Sequence, residues 1–458
     1  MHRQLLSNAI IGASLLFTGQ AFAAGYYVDE QSALRLGDAF SGGSASASDA
    51  SAAYYGPASL ILVPDQLVVN VAALPVTTKF TGDAYSLDST GSGIQPINGG
   101  SAKTSTVDVL PTLYFSKRLD EDLVLGAYIN APYATGSEFG KTSKVRYQAA
   151  DSEITGIDLG VSFAARVHEK VALGGGLIMQ YMKAKTGVAV NTFPACLAGE
   201  NAQQLPTGAC QTLLLAANIG TTSDDGYFEI EGHNTAMGFQ LGALVEFTDH
   251  SRLGVNYRSK ISHSLTGNAT AEFPTNAFTD LAGLTGTTKA DGRADITTPE
   301  TASISYFHEI GQLALQADVS WTNWSRFDEL KVNSSNPIIK DLTKNPQQYD
   351  WEETYRLAVG ANYKLNEQLT VRGGFAFDKS PIADDKTKAD FAFDDYKALS
   401  LGMSYGFTNS LFLDAGVQHT LKQERNVKNN ELTTSGSLID GKVTTDVTTL
   451  ALGLRWLL

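Results

Sequence analysis

Cysteine is scarce: Cys196 and Cys210 are the two in 458 residues. That excludes a disulfide-dense scaffold and every four-cysteine metal centre. Cationic charge is outnumbered, with 34 Lys and Arg against 48 Asp and Glu, for a net charge of -14. Nucleic-acid partners need a cationic surface that displaces counterions, so none is expected. Histidine is rare as well. His2, His168, His233, His250, His263, His308 and His419 are scattered, with no Ser/His/Asp set that has motif support. No metal, no cofactor and no catalytic site are expected. Long apolar runs are missing past the N-terminus. Nothing there approaches the about 18 uninterrupted apolar residues of a transmembrane helix.

Hydrophobic residues still make up 43% of the chain, too many for a disordered protein. The start reads as an export address. Met1-His2-Arg3 is basic, residues 10–17 form a short apolar core, and Ala21-Phe22-Ala23 is a small-x-small cleavage pattern. Cleavage is expected after Ala23, so residues 1–23 are a signal peptide. An exported chain without a membrane helix is either soluble or an outer-membrane barrel, whose strands escape hydropathy plots.

Period-two alternation decides between them. Leu313, Leu315, Ala317, Val319 and Trp321 alternate with Gln312, Ala314, Gln316, Asp318 and Ser320. Such strict alternation is a strand pattern. It recurs in 14 segments, beginning near Gln66, Ser105, Glu121, Glu153, Val171, His233, His250, Ile296, Gly311, Trp351, Gln368, Asp395, Ser410 and Lys442. The connections alternate in length. Short ones fall near Asp120, Glu169, Asp249, Glu309, Asn366 and Thr408. Long ones span roughly 77–104, 132–152, 185–232, 265–295, 327–350, 381–394 and 421–441. A sandwich has no reason to sort its loops by parity, whereas an outer-membrane barrel does. The expected fold is all-β: a 14-stranded antiparallel transmembrane β-barrel over residues 66–458.

The polar face points inward and holds Asp158, Arg166, Asp318, Arg356, Arg372, Asp414 and Arg455. These either form a charge network that fixes strand register or bind a charged head group. Trp321 and Tyr363 point outward as girdle residues. Residues 24–65 do not alternate and are rich in Gly, Ser and Ala. They read as a compact plug (hatch) inside the lumen, the other reading being a free tail.

Patches in this order resemble the FadL family of outer-membrane transporters for long-chain fatty acids and other hydrophobic molecules. Ala24-Gly25-Tyr26 resembles the family's mature start, and Leu36-Gly37-Asp38-Ala39-Phe40-Ser41-Gly42 its plug. Tyr54-Tyr55-Gly56-Pro57-Ala58 resembles its Tyr-x-Asn-Pro-Ala hatch element, with Gly56 in place of Asn. Arg146-Tyr147-Gln148-Ala149 resembles a stretch between strands three and four. Trp321-Thr322-Asn323-Trp324-Ser325-Arg326-Phe327 resembles the end of strand nine. Trp351-Glu352-Glu353-Thr354-Tyr355-Arg356 and the run from Arg372 to Pro381 are the fullest match. Leu458 stands where such barrels usually end in an aromatic residue.

The resemblance implies a 14-stranded barrel with an N-terminal hatch, and passive import of a long-chain fatty acid with sideways release into the bilayer. It implies a kinked third strand with a lateral opening, matched by Asn130, Ala131, Pro132 and Tyr133, and a ligand contact at Tyr26. Proline lacks a ladder N–H, so Pro132 breaks pairing or simply ends the strand. Leu213 and Leu214, with Phe273 and Phe278 in the next long loop, either form a hydrophobic outer groove or pack the loops together. Cys196 and Cys210, in an oxidising compartment, are expected to form a disulfide contributing ~3 kcal/mol to loop order. The partners expected are a hydrophobic small molecule, outer-membrane lipid and lipopolysaccharide, for a monomeric protein in the cell outer membrane. Rival readings are the same barrel importing aromatic or other small hydrocarbons, a general water-filled porin, and a barrel enzyme.

Overall fold

The computed structural model describes residues 25–87, 93–192, 207–210, 212, 225–276, 279–280, 285–431 and 437–458. The expected signal peptide, residues 1–23, lies outside them. Fourteen strands form one closed antiparallel barrel. They are β1 Gln66–Leu87, β2 Lys103–Asp120, β3 Leu123–Glu138, β4 Asp151–His168, β5 Val171–Val190 and β6 Gly226–Thr248. Next come β7, in two pieces Ser251–Arg258 and Ile261–Phe273, and β8, in two pieces Gly286–Thr298 and Thr301–Ile310. Then follow β9 Leu313–Thr322, β10 Thr354–Lys364, β11 Leu369–Asp378 and β12 Tyr396–Gly406. The last are β13, as Leu411–Thr420 and Gln423–Glu431, and β14 Ser437–Leu457. Each strand pairs with the next. Closure comes from β1 against β14, from Gln66 opposite Leu457 to Ser86 opposite Ser437. A closed sheet has no edge to leave unsatisfied in lipid.

The alternation maps onto two solvents. On β14, Leu450, Leu452, Leu454 and Trp456 face out and are exposed, while Thr449 and Ala451 are buried. On β9, Leu315 and Val319 face out, while Gln316 and Asp318 are buried. Among the described residues no helix is long and apolar enough to cross a membrane; the strands do so.

Eleven of the fourteen strands begin within three residues of the positions read from the sequence. The exceptions are β6, β8 and β14, which start at Gly226, Gly286 and Ser437 rather than near His233, Ile296 and Lys442. The long loops are correspondingly shorter than expected. Phe273 opposite Gly286 through Ile261 opposite Thr298 is continuous ladder where a loop was read. The same holds for Gln423–Glu431 against β14. Beyond the hydrocarbon layer neither face meets lipid, so the polar contrast fades although the backbone pairing goes on.

Residues 25–63 fill the lumen and are almost wholly buried. They hold two single-turn helices, α1 Ala33–Leu36 and α2 Ala52–Tyr55, and a 3-10 turn, Pro57–Leu62. Inward-facing side chains tether this plug around the wall. Asn70 on β1 accepts from the Ala33 N–H at 3.3 Å. Ser162 on β4 donates to the Ala53 carbonyl at 2.8 Å. Gln316 on β9 donates to Asp38 at 2.6 Å, and Arg356 on β10 donates to the Ala39 carbonyl at 2.8 Å. Wall glycines let the backbones meet. A Cβ on Gly254 would lie 2.0 Å from the Ser44 carbonyl oxygen.

Candidate functional site

The site begins where the wall is incomplete. β2 and β3 pair only as far as Leu113 opposite Ile129. Above that point the described residues of β3 have no ladder partner on β2. On the other side, the pairing of β3 with β4 shifts register between Asn130 and Tyr133. Pro132 has no N–H to give to a ladder, which places the irregularity here. The burial pattern changes at the same place. It alternates from Leu123 to Ile129, then every residue from Asn130 to Ser137 is buried. The strand has turned into the lumen.

The plug's N-terminal segment takes the vacant place. The Val28 N–H donates to the Pro132 carbonyl at 2.9 Å, and the Ala134 N–H to the Tyr26 carbonyl at 3.0 Å. Tyr27 and Tyr133 form an antiparallel bridge. Tyr26 is fully buried, and burial pushes its hydroxyl well above the ordinary tyrosine range. Its ring lies 4.7 Å from Trp324, 5.4 Å from Phe327, and 5.7 Å from both Trp351 and Tyr133.

Phe327 also borders a cavity of about 580 Å³, mouth included, shared by Ile154, Ile230, Leu265, Ile296, Tyr349 and Phe391. Its walls are overwhelmingly apolar, as suits capture of a hydrophobic guest. The charged side chain on its lining, Lys185, is paired with Glu229 at 3.0 Å. One tightly packed aromatic cluster therefore separates an apolar chamber from a break in the barrel wall.

The interior charges have partners. Asp158 on β4 pairs with Arg258 on β7 at 2.5 Å, Arg166 with Glu246 at 2.7 Å, and Arg455 with Asp414 at 3.2 Å. Arg356 pairs with Asp29 of the plug at 2.9 Å. Asp318 accepts from Ser320 at 2.6 Å, and Arg372 donates to Ser404 at 2.7 Å. Apart from the Asp318–Ser320 bond within β9, these links join strand to strand and strand to plug. In the plug, burial pushes Glu30 up to about 7, helped by neighbouring Asp29. Burial likewise pushes Asp38 up to about 6 against the pull of Arg35 and Arg372.

The residues singled out in the sequence fall into separate places. Asn130, Ala131, Pro132 and Tyr133 lie at the break, in contact with Tyr26 and Tyr27. Tyr54, Tyr55, Gly56, Pro57 and Ala58 lie deeper in the plug. There Tyr54 packs on Tyr128 at 5.5 Å and bonds Tyr27 at 2.8 Å through the two hydroxyls. Phe273 is buried with Ile230, Ala269, Ala271 and Ile339. Cys210 is buried. Cys196, Leu213, Leu214 and Phe278 lie outside the described residues. Gln31, Arg258, Tyr349 and Phe391 were not signalled by the sequence. Tyr349 and Phe391 sit in connections without alternation, and Gln31 in a segment without period.

A plugged β-barrel of the outer membrane, with an apolar chamber beside a wall break, defines the class: a transporter of hydrophobic compounds. The chain belongs to the outer membrane protein transport protein family (OMPP1/FadL/TodX), whose profile matches residues 14–456. It is 26% identical over 434 residues to the long-chain fatty acid transport protein of Escherichia coli K12, covering 93% of each chain. It is 27% identical over 415 residues to outer membrane protein P1 of Haemophilus influenzae, covering 88% of this chain and 87% of that one. Among solved structures, a Pseudomonas aeruginosa FadL homologue superposes with a TM-score of 0.82 at 25% identity, covering 95% of this chain and 100% of the other. The Pseudomonas putida toluene transporter TodX shares the fold, with a TM-score of 0.65 at 16% identity, covering 95% of this chain and 100% of that one.

Proposed function

We propose that this protein imports long-chain fatty acids passively, holding them in the apolar chamber and releasing them sideways into the bilayer between β2 and β3. The carrying observation is the ladder that ends at Leu113 opposite Ile129, beside the aromatic cluster that borders the chamber. The barrier to a fatty molecule is the polar outer leaflet, so a path that ends in hydrocarbon avoids passage through water into the periplasm. Burial favours capture by ~0.8 kcal/mol per CH₂, on the order of 10 kcal/mol for a chain of ~16 carbons before association costs. The sequence relatives named for long-chain fatty acid transport support this cargo. The reading includes export with cleavage after Ala23, a Cys196–Cys210 cross-link and a working monomer.

A second reading keeps the route and changes the cargo to aromatic hydrocarbons. Phe327, Tyr349 and Phe391 on the lining favour it, as does the pairing of Lys185 with Glu229, which leaves that cation occupied.

Two measurements test these readings together. Saturable binding of a labelled C16 fatty acid to the purified protein, undiminished by excess toluene, is the expected result; displacement by toluene moves the cargo to hydrocarbons. Replacing residues 130–133 with a regular Val/Thr alternation is expected to abolish uptake while binding persists. Normal uptake by that variant removes the sideways exit.

A further inference from the structure

Across the break between β2 and β3, a long bond from Asn130 Nδ2 to the Tyr114 hydroxyl, 3.4 Å, and the backbone bonds of Tyr26 and Val28 are joined by a residue that reaches both strands. Gln31, just before α1, is fully buried. Its Oε1 accepts from the Ala131 N–H at 3.0 Å, and its Nε2 donates to the Ala131 carbonyl at 2.8 Å. A primary amide bonded to both backbone groups of one residue reproduces what a neighbouring strand offers in an antiparallel pair. On its other side, the Gln31 carbonyl accepts from Thr112 Oγ1 at 3.0 Å and from the Tyr114 hydroxyl at 2.9 Å, both on β2. Nε2 also donates to the Val28 carbonyl at 3.1 Å, which fixes the amide's orientation. Gln31 thus spans the gap, its backbone held to β2 and its side chain to β3.

We propose that Gln31 is the latch of the sideways exit: a positioning residue whose amide completes the wall while the ligand is held and lets go of Ala131 when it leaves. This rests on the sideways-release reading. The device suits a gate for a physical reason. A strand ladder opens only by unzipping many bonds, whereas the three bonds of one side-chain amide open by rotation about the Gln31 χ angles. The residue type is specific too. Closure needs a donor and an acceptor side by side at the reach of two methylenes. Glutamate, when ionised, offers acceptors alone and sets one against the Ala131 carbonyl; methionine offers neither.

The test uses the full-length protein in lipid vesicles, with a fluorescent C16 fatty acid as probe, and reads equilibrium binding and release into the bilayer separately. Removing the amide takes away its bonds to the Ala131 N–H and C=O and to the Val28 carbonyl, all of which belong to the closed state. Gln31→Met is therefore expected to speed release about tenfold while binding stays within about twofold. Hydrogen exchange at the Ala131 amide should accelerate in step, and Gln31→Glu should act like Gln31→Met only at a pH that ionises the carboxyl, its neutral form supplying a donor beside an acceptor. Unchanged release in Gln31→Met, with binding intact, overturns the latch. The variant with a regular alternation over residues 130–133 is measured in parallel. If it blocks release while the Gln31 variants do nothing, the latch alone falls. If it too releases normally, the sideways exit falls with it.

Discussion

Gly56 shows how one residue can be set by space rather than by chemistry. It occupies the place where the hatch element it resembles has an asparagine. Its backbone is extended, at φ -174°, which any residue adopts. The constraint is the neighbour. A Cβ there would lie 2.4 Å from the Ser44 Cα and 2.7 Å from its Cβ. Ser44 cannot yield, because its N–H and hydroxyl both bond Ser305 of β8, at 3.0 and 2.9 Å. Gly56→Asn should therefore destabilise the plug by about 1–3 kcal/mol through overpacking. Protease susceptibility of residues 25–63 in the folded, detergent-solubilised protein measures this, and Gly56→Ala should shift it in the same direction. Gly43→Ala is the control, since the atom nearest a Cβ there, Asp318 Oδ2, is 3.6 Å away and no strain follows. A plug of unchanged resistance in Gly56→Asn would mean that the Ser44 turn moves freely.

At the scale of elements, what is legible in the sequence is the contrast between lipid and lumen. β9, β11 and β14 announce themselves because one face meets hydrocarbon and the other a wet or plugged interior. Where a strand climbs clear of the membrane the contrast goes, and the upper pieces of β7 and β8 read as loop although they pair without interruption. Proline signalled the irregularity in β3, but not its direction, because an inward turn is known only once the burial of Asn130 to Ser137 is seen. Nor does alternation say which inward charges meet. Asp158 and Arg258 are 100 residues apart and link β4 to β7 across the lumen, both buried. Such a pair contributes little relative to apolar replacements but is costly to half-remove. Arg258→Met should lower barrel stability by about 3–5 kcal/mol by stranding the Asp158 carboxylate. Asp158→Leu/Arg258→Met should recover most of that loss. The midpoint of denaturant unfolding, followed by the gel shift between folded and unfolded barrel, checks both. Equal losses in the single and double variants would mean that packing at Arg258, rather than the uncompensated charge, dominates.

For the whole molecule, closure and strand number were readable because each strand is a local pattern and the parity of the loops orders them. The chamber was not readable. It is assembled from Ile154, Ile230, Leu265 and Ile296 on four strands and from Phe327, Tyr349 and Phe391 in the connections, residues that share no period. The plug was recognisable as a segment with a task, but its many tethers to the wall arise only when the barrel closes round it. Those tethers make the plug part of the seal as well as part of the site. Deleting residues 25–63 should leave the strand pairings intact, because the ladders that close the barrel run between residues 66 and 457, and the plug joins them only through bridges such as that of Tyr27 to Tyr133 among the described residues. It should also remove Tyr26 and Gln31 from the break and expose the inward polar groups to water. The expected outcome in planar bilayers is a steady ion conductance that the intact protein lacks, with loss of saturable C16 binding. A deleted protein that folds yet conducts no more than wild type would place the seal in the connections over the chamber, around Phe327, Tyr349 and Phe391, and would make the plug a ligand-handling element alone.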